Sequence, residues 1–192
     1  MKRAVFLLTA FFALTVAANA QGIAVGATMD NFTLTDINGK TQTLSGMKGE
    51  KGAVLIFVSA QCPVVKGYNE RMNKLTTDYA AKGINVIGIN SNATESLEWV
   101  KSHAEQNYKF PVLIDKGAVL ADKFGASATP EVYYVDAKNV LLYHGAIDND
   151  RSGTNITDQF LKTAFDSSLA GKKITKTETK AFGCSIKTTA ND

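Results

Sequence analysis

Cysteine, proline, histidine and tryptophan are all scarce in this chain: among 192 residues stand two Cys, three Pro, two His and one Trp. Two cysteines, Cys62 and Cys184, allow a single intramolecular pair and exclude a disulfide-dense scaffold. Neither histidine, His103 on a helical stretch or His144 at a strand end, has the company of a ligand cluster, and each reads as satisfied or solvated. No charge of one sign dominates. The formal charge is +3, and +1 once Lys2 and Arg3 are set aside, which excludes an electrostatic case for nucleic acid or an anionic membrane surface. The lysines of 172–176 form a solvated surface. No apolar run beyond the first twenty residues is long enough to cross a bilayer, and there is no internal repeat or low-complexity segment.

What is there begins with a leader. Lys2 and Arg3 form a charged start, 4–16 an apolar core interrupted by Thr9 and Thr15, and Ala18-Asn19-Ala20 a small-residue cleavage site. The expected organisation is therefore a signal peptide over 1–20, a single domain over 21–170 and a polar tail over 171–192 carrying Cys184. Export across the inner membrane to the periplasm follows, without stable membrane insertion.

The chain is organised around the stretch 52–66. Ala53-Val-Leu-Ile-Phe-Val58 is a continuous apolar run suited to a strand covered on both faces. After Cys62 the period changes: Val65, Tyr68, Met72, Leu75 and Tyr79 recur every three or four residues, with Pro63 fit for the first helical position and Gly83 for the end. Cys62 is thereby set beside the free N–H groups and positive end of a helix, with Lys66 one turn on. A thiolate is favoured there over a thiol, and the sulfur is expected to be exposed enough to react.

Around that centre, Asn38-Gly39 between alternating apolar residues of 32–44 predicts a hairpin. Residues 84–90 predict a strand closing a βαβ unit. Asn92 with Glu95 reads as a capping box for a helix that buries Leu97, Val100 and Ala104. Further strands are expected at 110–115, 131–136 and 139–144, and helices at 118–124 and 158–169. Tyr133 and Tyr134 read as strand packing, Asp148, Asp150 and Arg151 as a turn, and Glu131 as a proton carrier or a surface charge. Pro130, at the head of a strand, is a candidate for a cis peptide bond.

With the motifs Phe32-Thr-Leu-Thr-Asp-Ile-Asn-Gly-Lys40, 54–63, Phe110-Pro-Val-Leu-Ile-Asp115 and Ala128-Thr-Pro-Glu131, the chain resembles the exported redoxins and the thioredoxin-like branch of the peroxiredoxin (AhpC/TSA) superfamily. The resemblance implies an α/β, three-layer thioredoxin-like fold: a central mixed β-sheet flanked by helices, with an N-terminal β-hairpin extension. It implies that Cys62 is the attacking thiol, that Cys184 resolves it, and that Ser59, Pro63, Thr129 and Pro130 line the substrate groove. No cofactor and no metal are called for; the partners are a thiol or disulfide redox protein and, for peroxidase chemistry, a hydroperoxide. The chain departs from the family pattern as well. Val65 stands where a dithiol redoxin has its second cysteine, Leu55 replaces a peroxiredoxin proline, and Pro130 lies about where the peroxiredoxin arginine would be.

Two readings compete with an antioxidant-type oxidoreductase. One is a copper-binding chaperone, which would need Cys62, Cys184 and His144 to converge. The other is a non-catalytic binding domain stapled by a fixed Cys62–Cys184 bridge. Residue types alone do not separate a permanent staple from a couple that opens and closes.

Overall fold

A computed structural model of the chain describes residues 22–188. The leader expected at 1–20 lies outside the described residues. A hairpin leads in, β1 (Thr33–Asp36) against β2 (Thr41–Thr43). At its turn the Asp36 carboxylate accepts the amides of Asn38 and Lys40 at 2.9 and 3.0 Å, and Gly39 takes φ +79°, a backbone open to glycine at little cost. After the short helix α1 (Leu44–Met47) come β3 (Gly52–Phe57), α2 (Pro63–Ala80), β4 (Ile84–Asn90), α3 (Leu97–Asn107), β5 (Val112–Ile114) and α4 (Val119–Phe124). The chain then runs through β6 (Ala128–Thr129), β7 (Glu131–Asp136), β8 (Leu141–Gly145), α5 (Phe160–Leu169) and β9 (Cys184–Ser185).

Strands β2-β1-β5-β4 and β3-β7-β8 make one mixed seven-stranded sheet, because β4 lies beside β3 and the Val58 amide donates to the Ile89 carbonyl at 2.8 Å. Strand β3 is buried along its whole length and feeds both faces by its two-residue period. Val54 and Ile56 join Tyr68, Met72, Tyr79 and Phe165 under α2 and α5. Leu55 and Phe57 join Leu120, Phe124 and Tyr133 on the α4 side. The three-layer α/β fold expected from the resemblance is the fold observed, and the five residues assigned to the buried face of α2 are the five it buries.

Three expectations fail. Asn92 and Glu95 do not cap α3: Ser96 does, its side chain accepting the Trp99 amide at 3.2 Å, because Glu95 is turned back toward residues 59–61. With the start displaced, Leu97 falls in the first turn on the outer side and is 54% exposed, while Val100 and Ala104 are buried as expected. The segment after residue 171 is not merely polar surface. Ile174 and Ile186 are buried, and Thr177 and Thr179 bond the backbone of His144 at 3.0 Å each, laying the tail along β8.

The aromatic contacts of Phe165 with Tyr79 and Tyr134, ring centroids 4.8 and 4.7 Å away, tie α5 to α2 and to β7 of the sheet. Phe165→Ala is expected to lower unfolding free energy by about 3–5 kcal/mol in urea titrations, whereas Leu97→Ser is expected to stay within about 0.5 kcal/mol of the parent.

Candidate functional site

The site is built where β3 runs out. Residues 59–61 turn the chain into α2, and Cys62 occupies the N-cap with its side chain making no capping bond. The turn is held by Glu95. Its carboxylate accepts the amides of Ala60 at 2.9 Å and Gln61 at 3.0 Å, the Asn90 side-chain amide at 2.6 Å, and the Ser59 hydroxyl. Ser59 Oγ in turn accepts the Cys62 amide at 3.0 Å. Pro63 opens the helix, where its missing N–H costs nothing. The Cys62 side chain thus stands at an amide-rich helix start, as the change of period at that residue predicts. Lys66 is exposed; its charge acts on His103, whose pKa is lowered chiefly by burial and then by that lysine.

Cys62 is bonded to Cys184, 122 positions away, with their Cα atoms 5.9 Å apart, within ordinary disulfide geometry. Cys184 arrives on β9, which pairs antiparallel with β6, Thr129 opposite Cys184 and Ala128 opposite Ser185. The Ile186 amide donates to the Ser127 carbonyl at 3.0 Å, and the Lys187 backbone is held by Asn92 Oδ1 at 3.0 Å and the Ala93 amide at 2.7 Å. An exposed Cys62 sulfur is therefore not what this state contains: the residue is 3% exposed. Its cover is the tail itself, through Cys184 and Phe182, whose ring leans on Tyr68 at 6.4 Å.

On the other side of the sulfur lie Thr129, whose carbonyl oxygen is 3.5 Å from Cys62 Sγ, and Pro130, joined to it by a cis peptide bond. Behind them sits Glu131, buried rather than on the surface. It accepts His144 Nε2 at 2.6 Å, the amides of Ser127 and Ala128 at 2.9 Å, and the Tyr133 hydroxyl at 3.2 Å. Burial pulls its pKa upward, but the His144 bond and the two amides together outweigh burial and leave it below the usual carboxylate value. Glu131 thereby fixes both the turn that carries Thr129 and the ring of His144.

Cys62, Cys184, Ser59, Thr129 and Pro130 are thus brought together, with Pro63 at the outer edge. The convergence of Cys62, Cys184 and His144 that a copper site needs is not what this state contains: the His144 ring nitrogen is turned to Glu131, and the two sulfurs are bonded to each other. Among the described residues no group of three or more His, Cys, Asp or Glu side chains is arranged to hold a metal ion. Asp148 is a buried partner of Arg71 at 2.7 Å and of the Tyr68 hydroxyl at 2.7 Å, a structural cluster on α2. Glu95 is the residue that sequence reasoning misassigned. Its spacing from Asn92 imitates a cap, and nothing local in the chain betrays a partner 35 residues earlier.

Comparison with known proteins bears on the family and the fold. The family model described as AhpC/TSA matches residues 25–144. A relative in Bacillus thuringiensis, named thiol-disulfide oxidoreductase ResA, is 32% identical over 120 residues, 62% of this chain and 68% of its own. The crystal structure of a hypothetical protein from Sinorhizobium meliloti superposes with a TM-score of 0.80 at 34% identity, over 88% of this chain and 97% of that one. A thioredoxin-like protein from Aeropyrum pernix shares the fold, with TM-score 0.58 at 21% identity over 71% and 89% of the two chains.

Because the folded-state pKa of Glu131 lies below its ordinary 4.5, its ionisation stabilises the fold above that pH, and the contribution fades as pH falls through the folded value. Glu131→Gln is expected to cost roughly 1–3 kcal/mol at pH 7. The gap between parent and variant in urea midpoints should narrow as pH falls below the ordinary 4.5 and through the lower folded-state value.

Proposed function

This chain belongs to the AhpC/TSA family, and from that premise we propose that it is an exported thiol–disulfide oxidoreductase with Cys62 as its nucleophile and Cys184 as its resolving thiol. The observation that carries the reading is the bridge between a cysteine at a helix N-terminus and a cysteine delivered on a tail strand beside Thr129 and Pro130. In the reduced protein the first-turn amides of α2 favour the Cys62 thiolate. That thiolate attacks one sulfur of a partner disulfide, forming a mixed disulfide and releasing the other partner sulfur as thiolate. Cys184, as thiolate, then attacks Cys62 Sγ, closing the internal bridge and freeing the partner's second sulfur. Two electrons pass to the partner, and an external dithiol returns the bridge to its reduced form. The export leader expected at 1–20 and the presence of an internal disulfide both support work outside the cytoplasm, in the periplasm.

Hydroperoxide reduction is the second reading, favoured by Ser59 beside Cys62 and by the distant second cysteine. The Cys62 thiolate would take one peroxide oxygen to become a sulfenic acid, with the alcohol or water leaving, and Cys184 would condense with it to the disulfide and water. Among the described residues neither arginine forms a hydrogen bond with Ser59 or Cys62. Arg71 is paired with Asp148, and the Arg151 guanidinium lies over the Phe182 ring, 5.8 Å from its centre. Peroxide turnover is accordingly expected to be slower than disulfide exchange.

Cys62→Ser is expected to abolish turnover of both disulfide and hydroperoxide substrates. Cys184→Ser should accumulate a mixed disulfide at Cys62, read as an added mass by intact-protein mass spectrometry. Equal alkylation of both reduced thiols, and only above their ordinary pKa of about 8.5, would sink the activation argument.

A further inference from the structure

Resting on the oxidoreductase reading, we propose that the groove along β6 selects partner proteins by a strand motif: a glycine immediately before the reacting cysteine and an aliphatic residue two positions after it. Residues 183–186 of this chain, Gly-Cys-Ser-Ile, are the resident copy of that motif.

The tail shows what a strand must satisfy to bring a sulfur onto Cys62 in this groove. Among the described residues strand β6 pairs in a sheet with β9 alone, so when β9 leaves, its edge is free to accept a new strand. Position by position the fit is selective. A Cβ on Gly183 would lie 2.7 Å from the Thr129 carbonyl carbon and closer still to its oxygen. The obstacle is backbone beside Pro130, which does not yield as the end of a flexible side chain would. Any side chain before the cysteine therefore lifts the strand off the groove. Ser185 points away and is exposed, so the position after the cysteine is permissive. Ile186 is 4% exposed and belongs to the core that contains Leu120, Phe124 and Tyr133, where a polar residue would lose its hydration without gaining a partner.

The tail can yield the groove without coming away altogether. Thr179 is moored separately on β8, its hydroxyl 2.6 Å from the Tyr143 hydroxyl and accepting the Ala146 amide at 2.9 Å. Between that mooring and Gly183 run only residues 180–182. Swinging out 180–187 about Thr179 thus exposes Cys62 and the edge of β6 together, and the tethered Cys184 returns as the resolving thiol.

The test uses the full chain with Cys184→Ser and octapeptides of sequence 180–187, each with its cysteine capped as the mixed disulfide with thionitrobenzoate. Release of thionitrobenzoate and the mass of the Cys62–peptide adduct report attack by Cys62. The parent peptide is expected to react fastest, a Gly183→Val version at least tenfold slower, an Ile186→Ser version severalfold slower, and a Ser185→Lys version within twofold of the parent. In a protein that also carries Gly183→Val, whose own tail is driven from the groove, all rates should rise while the order among peptides persists. Rates within twofold across all four peptides in both proteins would overturn strand selection. If free dithiobis(nitrobenzoate) still modified Cys62 rapidly in that case, the oxidoreductase reading would stand without it. A Cys62 inert to the free reagent as well as to every peptide would remove both.

Discussion

A two-residue strand pairing holds the second cysteine of this protein against the first. Cys184 and Ser185 lie against Ala128 and Thr129, and through that ladder the tail is drawn over the start of α2, leaving Cys62 almost without solvent. The sheet, the helix and the turn at Pro130 deliver Cys62 to the place that the tail covers. Burial of a reactive sulfur by a segment of its own chain differs from burial in a core. The first is relieved by moving a few residues, the second only by unfolding.

The rigidity of the place comes from two carboxylates. Glu95 gathers Ser59, Ala60, Gln61 and Asn90, and Glu131 gathers Ser127, Ala128, Tyr133 and His144. One fixes the turn that leads into Cys62, the other the turn that carries Thr129. A buried or half-buried carboxylate is costly unless its oxygens are fully bonded, and each here has four donors. The positive end of α2 remains for the sulfur, because the amides that Glu95 takes belong to the preceding loop and not to the helix itself. The loop that presents Cys62 is in this way held by side-chain bonds of its own, apart from the helix that follows.

Much of this was legible in the chain. The period change at Cys62, the Asn-Gly turn, the strand after Pro130 and the buried face of α2 all follow from local patterns, and the structure contains them where the patterns put them. The resemblance supplied the layer order. What escaped was non-local. Glu95 looked like a helix cap because Asn92 precedes it by three residues, yet it serves a loop that sequence does not place beside it. The tail reads as polar because Ile174, Phe182 and Ile186 are its only large apolar residues. Those few residues, with backbone bonds from Thr177, Thr179, Ile186 and Lys187, suffice to dock it, and backbone pairing leaves no mark on composition. The exposure expected for Cys62 failed for the same reason, since its cover comes from 122 positions away.

The choice between a permanent staple and an exchanging couple turns on what else holds the tail. In the chain-entropy picture, a bridge closing a loop of this length restricts the unfolded chain by about 5 kcal/mol, whether or not it ever opens. Were the bridge the tail's only attachment, that constraint would be sufficient reason for it. But Ile174, the pair Thr177 and Thr179, Ile186 and Lys187 moor the tail without it. After reduction such a tether keeps Cys184 near Cys62 at an effective concentration on the order of millimolar or more, so the bridge re-forms readily. The helix start that favours the Cys62 thiolate also makes that sulfur a good leaving group and the disulfide easier to reduce. A staple gains nothing from being easy to open, whereas a sulfur couple needs both properties. The redundancy of the moorings and the placement of Cys62 at a helix terminus together weigh toward exchange.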